Sequence, residues 1–144
     1  MIYQLYINLQ LINQLNNSVK LLKRAVQDIL DQSKSSLTTD QWLVLASVNE
    51  LDQPNQSQIA FSLNKESASL SRIIDILEKQ NFVIRKNTKD DRRSFIIKPT
   101  VEGSRLYRLI QPKMYQLEKH LSQVNFQSGD ELENILNNIS TIDI

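Results

Sequence analysis

Cysteine is absent from the 144 residues, and histidine and tryptophan occur once each, as His120 and Trp42. Without thiols there is no disulfide framework, no thiolate zinc site and no thiol-based redox sensing, and one histidine, read as structural or exposed, leaves little for a metal. Glycine occurs only twice, at Gly103 and Gly129, so no clustered-glycine loop exists to cradle a phosphate. HExxH, GxSxG and cysteine–histidine pairs are likewise missing, and the acidic residues are scattered rather than paired. The expectation is a protein that is not an enzyme and uses no cofactor and no metal. No apolar run approaches the roughly 18 residues needed to span a bilayer. The opening Met1-Ile2-Tyr3-Gln4-Leu5-Tyr6 lacks the basic, apolar, small-residue order of a signal peptide, so a cytoplasmic protein without a membrane partner is expected. Internal repeats and low-complexity linkers are also absent. Residues 1–144 therefore read as one folded domain, with 40% hydrophobic residues to build its core.

The net charge of +1 conceals an asymmetry. Residues 1–64 hold 4 basic and 5 acidic side chains, residues 65–108 hold 11 and 6, and residues 109–144 hold 2 and 5, so the middle is at +5 between flanks at −1 and −3. A charge run is usually a solvated face, but here it coincides with a helical stripe and a basic turn.

Helices predominate in the periodicity. Leu5, Leu9, Ile12, Val19, Leu22, Val26 and Ile29 keep helical spacing from about Ile2 to Leu30, a face too apolar to stand alone. Thr38 and Gln41 form a capping box for a second helix with Trp42, Leu45, Ala46 and Val48 inward, and Pro54 and Asn55 close the loop after it. Gln56–Leu63 predicts a short helix with Ile59, Ala60 and Leu63 inward. Asn64 then leads into a helix at about Glu66–Gln80, whose buried face is Leu70, Ile73, Ile74 and Leu77. So tight a connection suggests helix-turn-helix. Its turn and the exit from its second helix normally favour glycine for a positive φ, and these places hold Asn64 and Asn81, the non-glycine residue that best tolerates that conformation. Val83–Lys86 and Ser94–Lys98 read as strands flanking the turn Thr88-Lys89-Asp90-Asp91-Arg92-Arg93, a β-wing. Thr100 caps a long helix through about Val124, with Leu106, Ile110, Met114, Leu117, Leu121 and Val124 as its stripe and Pro112 as a kink. Ser128 and Glu131 cap a last helix burying Leu132, Ile135, Leu136 and Ile139.

On the outward face of the second helix of the pair, Ser67, Ala68, Ser69, Ser71 and Arg72 suit a groove better than bulk water. In the wing, one arginine of Arg92 and Arg93 is expected to pair with an aspartate, Asp91 in the first place, and to stiffen the turn, leaving the other for a minor groove. Trp42, Tyr107 and Tyr115 are core anchors or, on a second reading, walls of a ligand pocket.

From about Leu37 to Leu136 the chain resembles the MarR family of bacterial winged helix-turn-helix regulators. The resemblance is carried by Asp91-Arg92-Arg93, by Thr100 seven residues after Arg93 with Gly103 three further on, and by Leu70-Ser71-Arg72-Ile73-Ile74-Asp75-Ile76-Leu77-Glu78-Lys79. Pro99 departs from the family's usual leucine, and Asn64 and Asn81 replace its glycines. The resemblance implies a mainly α fold: a winged helix-turn-helix with a two-stranded wing at 37–100, and dimerisation helices at 1–31 and 101–144. It further implies a homodimeric, repressor-like regulator of a pseudo-palindromic operator in double-stranded DNA, with Lys65, Ser67, Ala68, Ser69, Ser71, Arg72, Asp91, Arg92 and Arg93 at the DNA. The effector expected, if one exists, is a small aromatic or apolar acid. The competing reading is a winged-helix module that binds a protein instead of DNA, since a fold alone does not fix function.

Overall fold

The computed structural model describes residues 2–87 and 95–123. Its elements are α1 Ile2–Gln32, α2 Thr39–Glu50, α3 Gln56–Ser62, α4 Ser67–Lys79, β1 Val83–Asn87, β2 Phe95–Pro99 and α5 Val101–Gln123. The chain divides into two compact units, Met1–Gln111 and Pro112–Ile144, and Pro112 lies inside α5. In the second unit the described part is helical, with Met114 and Leu117 half-buried and Leu121 exposed. The expected wing turn with Asp91, Arg92 and Arg93, and the expected last helix from Ser128 with Leu132, Ile135, Leu136 and Ile139, lie outside the described residues. Among the described residues no helix is long and apolar enough to cross a membrane.

The helix ends follow their local chemistry. Thr38 caps α2, its hydroxyl accepting from Gln41 N (3.3 Å) while Gln41 Oε1 accepts from Thr38 N (3.0 Å), which is the expected capping box. A second box, unanticipated, opens α3: Asn55 Oδ1 accepts from Gln58 N and Gln58 Oε1 from Asn55 N, both at 2.9 Å. Asn55 therefore starts a helix as well as closing a loop. Asn64 (φ 47°) and Asn81 (φ 61°) adopt the left-handed conformation foreseen for them. Lys34 (φ 54°), just after α1, and Gln53 (φ 47°), in the loop beyond the extended C-cap Leu51 of α2, are left-handed non-glycine residues too.

The core of the first unit lies where α2, α3 and α4 meet each other and the sheet, with α1 packed on α2. Trp42, Val44, Leu45 and Val48 of α2, Ile59 of α3, and Leu70, Ile74 and Leu77 of α4 are buried, joined by Leu30, Leu37, Val83, Ile97 and Ile110. Ile73, expected on the buried face of α4, is only half-buried. On α1 the buried residue lies at the C-terminal end, Leu30, whereas Leu9, Ile12, Val19 and Leu22 of the predicted stripe stay exposed.

β1 and β2 form an antiparallel ladder in the register Val83↔Pro99, Arg85↔Ile97 and Asn87↔Phe95, the strands ending at Asn87 and Pro99, one residue beyond the expected Lys86 and Lys98. Alternate residues of such a ladder turn their backbone groups away from the partner strand. Ile97 is one of these, and its N–H donates outward to Pro54 O (2.8 Å), beside an isolated bridge between Asn55 and Ile96. The segment before α3 thus covers the free edge of β2.

The start of α5 explains the Thr100/Gly103 spacing. Thr100 N donates to Phe82 O (3.0 Å), Thr100 Oγ1 donates to Asn81 O (2.7 Å), and Gly103 N donates to Thr100 Oγ1 (2.9 Å). Helix α5 is therefore pinned on the turn by which the chain leaves α4. Gly103 lies so close to this turn that a methyl group there would land on the Phe82 carbonyl oxygen and 2.9 Å from its carbonyl carbon.

Candidate nucleic-acid interface

The site is built on α4, whose Leu70, Ile74 and Leu77 are fully buried and so fix which side faces out. On that side the structure brings together Ser67, Ala68, Ser69 and Arg72, all exposed, with Ser71 half-buried at the margin. Gln56, at the start of α3, donates from Nε2 to Ser67 O (3.2 Å) and Ser67 Oγ (3.3 Å), tying the first turns of the two helices together.

The basic character of the middle segment is partly internal. Lys65, expected at DNA, is held by Asp40 of α2 (3.0 Å) across the helix-turn-helix. Arg85 bridges Asp75 and Glu78 of α4, at 2.6 Å each, and Arg105 pairs with Glu102 at 3.2 Å. Arg72, Lys79, Lys86 and Lys98 have no ion-pair partner among the described residues. Of these, Arg72 stands amid the small residues at the N-terminal half of α4.

The three aromatic candidates separate. Trp42 is 5% exposed, its ring stacked on Tyr107 with centroids 5.8 Å apart and planes 14° from parallel. Tyr107 Oη donates to Glu50 Oε1 (2.8 Å), and Ser104 Oγ to Asn49 Oδ1 (3.1 Å), so α5 is fastened to α2 by stacking and by two polar contacts. Burial pushes the Tyr107 phenol up to about 12, with the hydrogen bond and the charge of Glu50 adding to it. Tyr115 belongs to the second unit and is exposed.

Sequence reasoning missed the Arg85 contacts. Their signal was available: two carboxylates three residues apart on α4, and an arginine placed to return to both from the strand that follows.

A helix-turn-helix closed by a two-stranded wing, with an arginine and small polar residues on the outward face of its second helix, defines a winged helix-turn-helix protein. The MarR family model matches residues 37–95, from the residue before the α2 cap to the first residue of β2. An uncharacterized HTH-type transcriptional regulator of Bacillus subtilis (strain 168), YwoH, is 30% identical over 116 residues, covering 81% of this chain and 82% of its own. The chain belongs to the MarR family of transcriptional regulators. Its fold is also that of a MarR/EmrR family regulator from Acinetobacter sp. ADP1 (TM-score 0.78, 20% identity, 93% of this chain and 94% of that one). It is also similar to MepR of Staphylococcus aureus, solved as a complex with DNA (TM-score 0.76, 20% identity, 88% and 93%). The family and these relatives are regulators, not enzymes.

Proposed function

We propose that the chain is a homodimeric regulator that binds a pseudo-palindromic operator, each protomer laying α4 in a major groove with its wing at the adjacent minor groove. The observation that carries this reading is Arg72: exposed, free of any partner among the described residues, and surrounded by Ser67, Ala68 and Ser69, which let the helix approach base edges closely. MepR, of the same fold, was solved on DNA, which supports it. Arg92 and Arg93 are assigned to the wing's DNA contact on sequence grounds alone. Leu9, Ile12, Val19 and Leu22, exposed on α1, supply an apolar face for the second protomer, which would set the two α4 helices roughly 34 Å apart. The regulation is read as repression in the cytoplasm. The effector, where there is one, is read as a small aromatic or apolar acid.

The test is a salt titration of duplex binding by the wild type and Arg72→Ala, with operators selected from random sequence. Two chains should bind per site with a steep loss of affinity as salt rises, and the variant should lose roughly 1–3 kcal/mol and its preference at one position of each half-site. The same selected sequences at unchanged affinity would remove Arg72 as a reader. Absence of salt-dependent binding by the wild type would favour the protein-binding module instead.

A further inference from the structure

The helix and the sheet that face DNA in this reading are joined through one side chain. Asp75 and Glu78 lie three residues apart on α4 and so project to the same side. Arg85, the third residue of β1, returns to both: Nη2 donates to Asp75 Oδ1 and Nη1 to Glu78 Oε2, each at 2.6 Å. The other oxygen of Glu78 accepts from the backbone N of Arg85 (3.0 Å). The ladder register explains why that amide is available. Arg85 faces Ile97, and in this pair both amides point away from the partner strand, Ile97 N to Pro54 O and Arg85 N to Glu78. Each outer edge of the hairpin is thereby bonded to the helix-turn-helix, β1 to α4 and β2 to the segment before α3.

The same contact bears on Arg72. Asp75 lies three residues after Arg72, the spacing at which an aspartate and an arginine pair within a helix. Here the carboxylate is on Arg85 instead, and Arg72 has no ion-pair partner among the described residues.

We infer that Arg85 is a positioning residue for DNA reading. Its planar fork across Asp75 and Glu78 holds the sheet against α4 and keeps Asp75 off Arg72, so that helix and wing meet the duplex as one body. Arg85 itself makes no DNA contact. The inference rests on the DNA-binding reading above. An exposed ion pair would be a weak basis for it, and the side chains of Asp75 and Glu78 are 53% and 38% exposed, but this one joins two charge-assisted bonds, a backbone donor and an arginine side chain only 22% exposed. Lysine, a point charge on a flexible stem, cannot reproduce the fork.

The sign of one substitution separates positioning from plain electrostatics. Glu78→Gln removes a negative charge beside a surface that meets phosphates, which on charge alone tightens binding. The clamp predicts weaker binding, because one charged arm of the fork is lost. Duplex affinity is measured across a salt series for the wild type, Glu78→Gln, Arg85→Lys and Arg85→Ala, at a temperature where circular dichroism shows each fully folded. Glu78→Gln and Arg85→Lys should each bind about threefold or more weaker with the salt slope unchanged. Glu78→Gln binding as tightly as wild type, or more tightly, overturns the inference alone. So does Arg85→Lys at wild-type affinity beside a shallower slope for Arg85→Ala, the mark of a phosphate contact. A wild type without salt-dependent binding overturns the DNA-binding reading and this inference with it.

Discussion

Gly103→Ala tests how closely α5 is seated on the rest of the winged helix. Inside a helix this exchange ordinarily stabilises, by about 0.5–1 kcal/mol, because alanine gives up less backbone freedom. Here the opposite is expected. The new methyl would overlap the carbonyl oxygen of Phe82 and lie 2.9 Å from its carbonyl carbon, and both are backbone atoms that no rotamer change moves aside. Phe82 O already accepts from Thr100 N, and Thr100 Oγ1 accepts from Gly103 N, so retreat of α5 stretches the bonds that pin it. Overpacking of this kind costs about 1–3 kcal/mol, and weakening one hydrogen bond adds about 1 kcal/mol. Less the ordinary gain of alanine, the net loss should be about 1–3.5 kcal/mol, a fall in Tm of roughly 3–12 °C for a chain this size. Wild type and variant are compared by thermal unfolding at one protein concentration, since association with a second copy would shift both. A variant melting at or above the wild-type temperature would refute the close approach. The companion Thr100→Val, which removes the hydroxyl bonded to Asn81 O and Gly103 N, should cost about 1 kcal/mol.

Asn64 and Asn81, at φ 47° and 61°, should accept glycine within about 0.5 kcal/mol, whereas Asn→Ala at either place should cost about 1 kcal/mol; equal effects of Gly and Ala in urea unfolding would contradict the left-handed conformation. Tyr107→Phe removes the hydrogen bond to Glu50 and should lower stability by about 1 kcal/mol near neutral pH. Because the folded protein raises this phenol's pKa to about 12, its contribution is fully present below the ordinary value of about 10 and fades as pH rises through 12. The gap between wild type and Tyr107→Phe should therefore narrow over that alkaline window. A gap that stays constant in denaturant titrations at pH 8 and pH 11.5 would show that the phenol does not titrate as stated.

What the sequence determined by itself is what short-range physics controls. Helical spacing placed α1, α3 and α4 and the starts of α2 and α5 within a residue or two, because apolar residues on one helix face recur with the helical period whether that face is buried, as on α4, or exposed, as on α1. Thr38 and Gln41 marked a helix start because both halves of a capping box lie within four residues. Asn64 and Asn81 announced positive φ through their own tolerance for it, although Lys34 and Gln53, with no such preference, did the same unannounced. The outward face of α4, with Arg72 among serines, also followed from periodicity, since Leu70, Ile74 and Leu77 can be buried on one side only. Tertiary structure alone decided which charges remain available. A count of basic residues treats Lys65, Arg72 and Arg85 alike, yet folding brings Asp40 to Lys65 from 25 residues away and lays β1 so that Arg85 reaches Asp75 and Glu78, leaving Arg72 without an ion-pair partner among the described residues. It also decided that Trp42 stacks on Tyr107, and that position 103 has no room for a side chain because the carbonyl of Phe82 lies against it. The contacts of Lys65, Trp42 and Gly103 join residues far apart in the chain, so their energies depend on distances that no local spacing encodes, whereas Arg85 lies only 7 and 10 residues from Glu78 and Asp75.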